Sequence, residues 1–151
     1  MNETNREALL TWLDLLRTSN QIKKSVEAKL RAEFGQSLSR FDVLSSLERG
    51  NRNGIRSGEL SRQMLVTDGN ITQLMSKLIR DGLVLKRPDE DDARVVIYSL
   101  SDEGSSLFEK MAAAHRVWIQ EFFTELDLQD LEQLRALLAQ MPANKNIREV
   151  A

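Results

Sequence analysis

Residues 58–101 read GELSRQMLVTDGNITQLMSKLIRDGLVLKRPDEDDARVVIYSLS, and the breaks in this run decide the fold. Gly58 to Met64 is a short helix-forming segment. Val66-Thr67 interrupts it, and Thr67 is a good N-cap for a second helix running to Asp81. That helix places Ile71, Leu74, Leu78 and Ile79 on one face, and Gly82 supplies the residue that stops it. Leu83-Val84-Leu85 and Val95-Val96-Ile97-Tyr98 follow as two β-prone runs. Between them, Lys86 to Arg94 is expected to be a hairpin loop containing Pro88.

Upstream, Leu9, Trp12, Leu13, Leu16, Ile22, Val26 and Leu30 recur at helical spacing from Ala8 to Phe34, and Gly35 ends the pattern. Ser39 can cap a helix from Arg40 to Glu48 with Phe41, Val43, Leu44 and Leu47 inward, and Gly50 to Gly54 is a turn by composition. Downstream, Ser101 caps a long helix through Met111, Ala114, Trp118, Phe122 and Phe123. Asp127 caps the last helix, with Leu131, Leu134, Leu137, Leu138 and Met141 as its stripe, and the tail from Asn144 is expected to fray. The result is a mainly α chain with a small β-wing, in the order of a winged helix-turn-helix. Residues 36–100 are expected to form that domain. Residues 1–35 and 101–151 are expected to supply a helical dimerisation region.

Composition narrows the function classes. The chain has 151 residues, no Cys and one His, which removes disulfides, thiolate zinc sites and almost every histidine-based metal site. Neither a metal nor a cofactor is expected. Met1 to Leu10 is polar and mixed in charge, so no signal peptide is expected. No apolar run approaches the roughly 20 residues of a membrane helix, and a cytoplasmic location is expected. No nucleophile–base pair and no phosphate-cradling Gly-rich loop argue for an enzyme. The acidic run Asp89 to Asp92 fits a solvated turn better than a divalent-ion site.

A formal net charge of −2 speaks at first sight against a nucleic-acid partner. Its distribution says otherwise. Gln36 to Pro88 hold nine basic and five acidic residues, a local +4, whereas Ser101 onward holds five basic and nine acidic, a local −4. DNA feels the local field rather than the total.

In a helix-turn-helix the first short helix braces the second, whose N-terminal residues meet base edges in the major groove. Here Gly58 to Met64 is the brace, with Leu60 and Met64 inward, and Asp68 to Asp81 the reading helix. Its outward set is Asp68, Asn70, Thr72, Gln73, Ser76, Lys77 and Arg80. Asn and Gln pair bidentately with adenine, Thr offers a hydroxyl or a methyl, and Lys and Arg reach phosphate. Gly69 removes a side chain where backbone approaches the duplex. Taken alone, such a face fits an ordinary solvated helix; the basic hairpin that follows, with Lys86, Arg87 and Arg94, favours DNA.

The run Asp92-Ala93-Arg94-Val95-Val96-Ile97-Tyr98-Ser99-Leu100-Ser101 resembles the wing signature of the MarR family of transcription regulators. Gly69 to Leu74 and Gly82-Leu83-Val84 resemble that family's recognition-helix region, and the likeness spans nearly the whole chain. The resemblance implies a dimer built from the first, fifth and sixth helices, with recognition helices in successive major grooves. It makes Arg94 the wing residue that reaches minor groove or backbone, oriented by Asp92. Ala93 stands where relatives often carry a second base, and Asp89 to Asp92 make the wing tip acidic. Arg56 replaces a small hydroxyl cap and is expected to add a phosphate contact. The full DNA-facing expectation is Arg56, Thr67, Asp68, Asn70, Thr72, Gln73, Lys77, Arg87, Asp92 and Arg94.

Wide apolar faces on the last two helices also point to a homodimer, hence to a pseudo-palindromic double-stranded operator. The resemblance implies a small-molecule effector, aromatic or otherwise anionic, and repression as the default. Candidate effector residues are Trp12, Arg17, Arg40, Phe41, His115, Arg116 and Trp118, with apolar core packing the competing role for the aromatic ones. Ser39 to Asp42 and Ala112 to Trp118 are similar to a branch regulating aromatic-acid breakdown, which implies aromatic acids or their coenzyme A thioesters as effectors. The lack of Cys excludes the peroxide-sensing thiol of other members. The alternative class is a winged-helix module for protein contact alone, docking through its acidic wing.

Overall fold

The computed structural model describes residues 2–50, 53–64 and 71–144. Its elements are α1 (Glu3–Phe34), α2 (Leu38–Arg49), β1 (Ile55–Arg56), α3 (Ser57–Gln63), α4 (Ile71–Arg80), β2 (Val84–Pro88), β3 (Val96–Leu100), α5 (Asp102–Phe122) and α6 (Leu128–Gln140). They divide into two compact units, residues 1–116 and 117–151. No described helix is long and apolar enough to cross a membrane.

Helix boundaries follow capping chemistry, and two differ from the sequence expectation. The first helix begins at Glu3 rather than Ala8, because the Asn2 side chain accepts the Asn5 N–H at 2.8 Å. The second is capped by Ser37 rather than Ser39: Ser37 Oγ accepts the Arg40 N–H at 3.1 Å, leaving Ser39 inside the helix. Glu27 of α1 accepts the Leu38 N–H at 2.5 Å, so another orphan donor of α2 is satisfied by a carboxylate. Gly35 at φ 65° and Gly82 at φ 76° end α1 and α4 as expected.

The core of the first unit gathers Val26, Leu30, Phe41, Val43, Leu44, Leu47, Ile55, Leu60, Met75, Leu78, Leu83, Val84, Ile97, Tyr98 and Met111. In α4 the deepest side chains are Met75 and Leu78, whereas Ile71, Leu74 and Ile79 are half-buried. Met75 was passed over in the sequence although it lies four residues after Ile71 and three before Leu78, the spacing that puts all three on one face. Of the periodic α1 residues only Val26 and Leu30 are buried; Leu9, Trp12 and Leu16 are exposed. Periodicity marks a face and cannot say whether the chain itself covers it.

The sheet has three antiparallel strands in the order β1-β3-β2. Ile55 pairs with Tyr98 and Arg56 with Ile97, a strand the sequence reading had not included. Two residues are too short for alternation to show, and their partner is some forty positions away. The hairpin is longer than expected: Val84 to Pro88 pair with Leu100 to Val96, which moves Lys86, Arg87 and Pro88 from loop into strand. Proline is tolerated because β2 is an edge strand and Pro88 is its last residue.

In the second unit, Asp127 accepts the Asp130 N–H at 2.8 Å and Asp130 accepts that of Asp127 at 3.2 Å, a reciprocal cap for α6. No residue of α6 is buried, and Leu128, Leu134, Leu137 and Met141 are exposed, as are Val117, Phe122 and Leu126.

Candidate nucleic-acid interface

Helix α3 starts without a side-chain cap, since Arg56 occupies the N-cap position and makes no capping hydrogen bond. Its buried Leu60 anchors it to the core, while Met64 is only half-buried. Helix α4 turns its apolar face to that core and leaves Thr72, Gln73, Ser76, Lys77 and Arg80 exposed. The Ser76 hydroxyl donates to the Thr72 carbonyl at 2.9 Å, so its proton is engaged on its own helix. Lys77 and Arg80 make no ion pair among the described residues, and lie in the last turn of α4. Thr67, Asp68 and Asn70, predicted DNA contacts, lie outside the described residues, as does Gly69.

The wing is held by its own acids. Asp89 N–H donates to Val95 C=O and Val95 N–H to Asp92 C=O, both at 2.9 Å, closing the turn. Asp92 accepts from the Arg94 backbone N–H at 3.1 Å and from Arg94 Nε and Nη2 at 3.1 and 3.2 Å. These bonds, the side-chain ones foremost, hold the Asp92 carboxyl below the ordinary carboxylate range, so it stays ionised at neutral pH. The Arg94 side chain is 91% exposed, which leaves it presented to solvent while fixed at its root.

Two other predicted DNA contacts have protein partners. Arg56 Nη2 lies 2.7 Å from Asp89 Oδ2, an ion pair without hydrogen-bond alignment, and the Asp89 side chain is only 9% exposed. Part of the wing's acidity is therefore turned inward and neutralised, and Arg56 binds the wing base rather than standing free. Arg87 Nη2 donates to the Asn53 carbonyl at 2.6 Å, joining β2 to the turn before β1.

A junction at the end of α4 went unread in the sequence. Ser101 Oγ donates to Gly82 C=O at 2.6 Å and accepts the Gly104 N–H at 3.0 Å, which confirms its cap role and adds a tie to the reading helix. Ser101 N–H donates to Leu83 C=O at 3.1 Å. Asp81 Oδ2 accepts from Arg40 Nη2 at 2.6 Å. The local signal was Gly104 three residues after a capping serine, a position where only backbone can fit.

The predicted effector residues divide. Phe41 stacks on Phe108 with centroids 5.7 Å apart and meets the His115 ring at 4.8 Å. Phe108 was missed, although it precedes His115 by seven residues and so shares its face of α5. Trp12, Arg17 and Arg116 are exposed, Arg40 is engaged by Asp81, and Trp118 is buried. Among the described residues no group of three His, Asp or Glu could hold a metal.

Burial lowers the His115 pKa from its ordinary 6.5, so the folded form takes the proton less readily than the unfolded chain. Its contribution is complete above that value and is lost as pH falls through the window below it. Urea midpoints followed between about pH 8 and 5 should fall more steeply for the wild type than for His115→Gln. Parallel curves would mean the imidazole is solvated.

Residues 37–96 match the family model described as MarR family. Among curated proteins, the chain is 29% identical over 137 residues to the uncharacterized HTH-type transcriptional regulator YkoM of Bacillus subtilis, covering 89% of this chain and 88% of that one. It is 29% identical over 119 residues to the transcriptional activatory protein BadR of Rhodopseudomonas palustris, covering 78% and 67%. A MarR family transcriptional regulator from Silicibacter pomeroyi superposes with a TM-score of 0.79 at 29% identity, covering 91% and 94%. The fold also matches Sco3205, a MarR family regulator from Streptomyces coelicolor solved in complex with DNA, at TM-score 0.79 and 19% identity, covering 88% and 84%. These relatives are transcriptional regulators, not enzymes.

Proposed function

The chain carries a MarR-family domain over residues 37–96, and from that premise we propose a sequence-specific DNA-binding transcription regulator that works as a homodimer. One observation carries the reading. A single compact unit holds a helix with an exposed Thr72, Gln73, Lys77, Arg80 face and a wing whose Arg94 is exposed and fixed at its root by Asp92. The first group suits base edges and phosphate, the second a groove or backbone contact. Homodimerisation is supported by the exposed Leu9, Leu10, Trp12 and Leu16 of α1 and by the exposed apolar residues of α6, faces that water does not favour.

Selection from a random duplex library tests this. The expected product is an inverted repeat with half-sites about one helical turn apart, bound with a log–log salt slope of about −0.9 per phosphate contact. Failure to enrich any sequence would instead support the protein-docking reading, which the exposed acids Glu90 and Asp91 favour.

The finer reading is a repressor released by a small aromatic or anionic effector, supported by the Phe41–Phe108–His115 cluster. An effector that favours a differently spaced dimer weakens DNA binding by about 1–3 kcal/mol, and DNA must weaken the effector equally. Benzoate titrated into the selected complex, and DNA titrated into the benzoate complex, should give the same factor.

A further inference from the structure

The carboxylate of Asp81 stands in a place that two electrostatic arguments oppose. It lies directly after the C-terminal end of α4, where the helix dipole is negative, and its sign is that of DNA phosphate. Yet Asp81 N–H continues the helix to Lys77 C=O at 3.0 Å, and its Oδ2 takes the Arg40 guanidinium at 2.6 Å. Arg40 belongs to the first turn of α2, 41 residues earlier, and its side chain is only 16% exposed. Its Nε is buried without a hydrogen-bond partner among the described residues. Burying a guanidinium costs desolvation, and here the single ion pair to Asp81 is what offsets it. Poorly compensated burial of this kind is better suited to fixing a register than to adding stability.

The next two residues are tied as well. Gly82 and Leu83 carbonyls accept from Ser101, the N-cap of α5, at 2.6 and 3.1 Å. Three consecutive residues at the exit of the reading helix are thus held from two sides, Asp81 by α2 and the others by the start of α5.

We propose that Arg40 and Asp81 are positioning residues for DNA recognition, a latch that sets the orientation of α4 by its C-terminal end. This rests on the DNA-reading role proposed for α4, and it assigns Arg40 to the helix rather than to an effector. The sign of one substitution separates the latch from simple electrostatics. Asp81→Asn removes a negative charge beside DNA, which by charge alone tightens binding; the latch requires it to weaken.

The test uses the full chain, the duplex selected by the wild type, and fluorescence anisotropy across a salt series. Asp81→Asn and Arg40→Gln are each expected to weaken binding about three- to tenfold, as for a partly exposed charge-assisted bond. The double variant should be no weaker than either single one, and both singles should keep the wild-type salt slope. Hydrogen exchange at the amides of Asp81, Gly82 and Leu83 should quicken in both singles without DNA, while the thermal midpoint falls more in Asp81→Asn, which strands the buried Arg40 guanidinium, than in Arg40→Gln. Asp81→Asn binding as tightly as the wild type or more so overturns the latch. A salt slope reduced by about 0.9 in Arg40→Gln also overturns it, by making Arg40 a phosphate contact. If the wild type selects no duplex, the DNA reading fails on its own. Exchange then decides, and unchanged protection at the three amides overturns the latch.

Discussion

Replacing Gly104 by alanine should destabilise the first unit by about 3 kcal/mol or more, a large share of the 5–15 kcal/mol typical of a domain. A Cβ at Gly104 would lie 2.0 Å from the Leu83 carbonyl oxygen and 2.9 Å from its carbon. Both are backbone atoms, so no rotamer relieves the clash. Space can come only from moving the first turn of α5 away from Leu83, the residue before β2, and that movement breaks Ser101 N–H to Leu83 C=O and Ser101 Oγ to Gly82 C=O. Gly58→Ala is the control: nothing lies within 4 Å of its added Cβ, and a helical alanine gains up to about 1 kcal/mol over glycine. Urea unfolding of the two variants should shift in opposite directions. An unmoved midpoint for Gly104→Ala would mean that α5 is not seated on Leu83.

Arg94→Ala should lower affinity for the selected duplex about 5- to 150-fold, the range for losing a good groove contact. Stability should not change, because the side chain is almost wholly in solvent. Asp92→Asn should act in the same direction but less. It loosens the Arg94 fork while removing a negative charge, so weakening despite the favourable charge change identifies orientation as its role. Anisotropy with both variants, beside thermal unfolding, checks this. Full affinity in Arg94→Ala would remove the wing from the interface.

Much of the fold was legible because local chemistry carries it. Gly35 and Gly82 stop helices through a backbone conformation that favours glycine, and Ser101 and Asp127 cap theirs through a side-chain oxygen at a fixed offset. The misreadings share a cause. Ser37 and Ser39 are equivalent as residue types, and only the path of the chain chooses between them. Pro88 reads as loop unless β2 is known to be an edge, and β1 has no signal apart from its partner β3.

The candidate site divides in the same way. The outward polar face of α4 could be named from helical period, and the Asp92–Arg94 pair from the resemblance of residues 92–101 to the family's wing signature. The partners of Arg56, Arg87 and Arg40 could not. They are Asp89, the Asn53 carbonyl and Asp81, each separated by more than thirty residues. As cations in a sequence, all three looked available to phosphate or to an anionic effector.

The sequence by itself therefore determined the helices and the hairpin, the stops at Gly35 and Gly82, the caps at Ser101 and Asp127, the polar face of α4, and the basic centre that a net charge of −2 conceals. Tertiary structure decided which charges are spent within the protein: Asp89 on Arg56, Asp81 on Arg40, and Arg87 on the Asn53 carbonyl. The physical reason is range. Propensity, capping and periodicity act over a few residues, whereas the use of a charge depends on what the fold brings within about 4 Å of it.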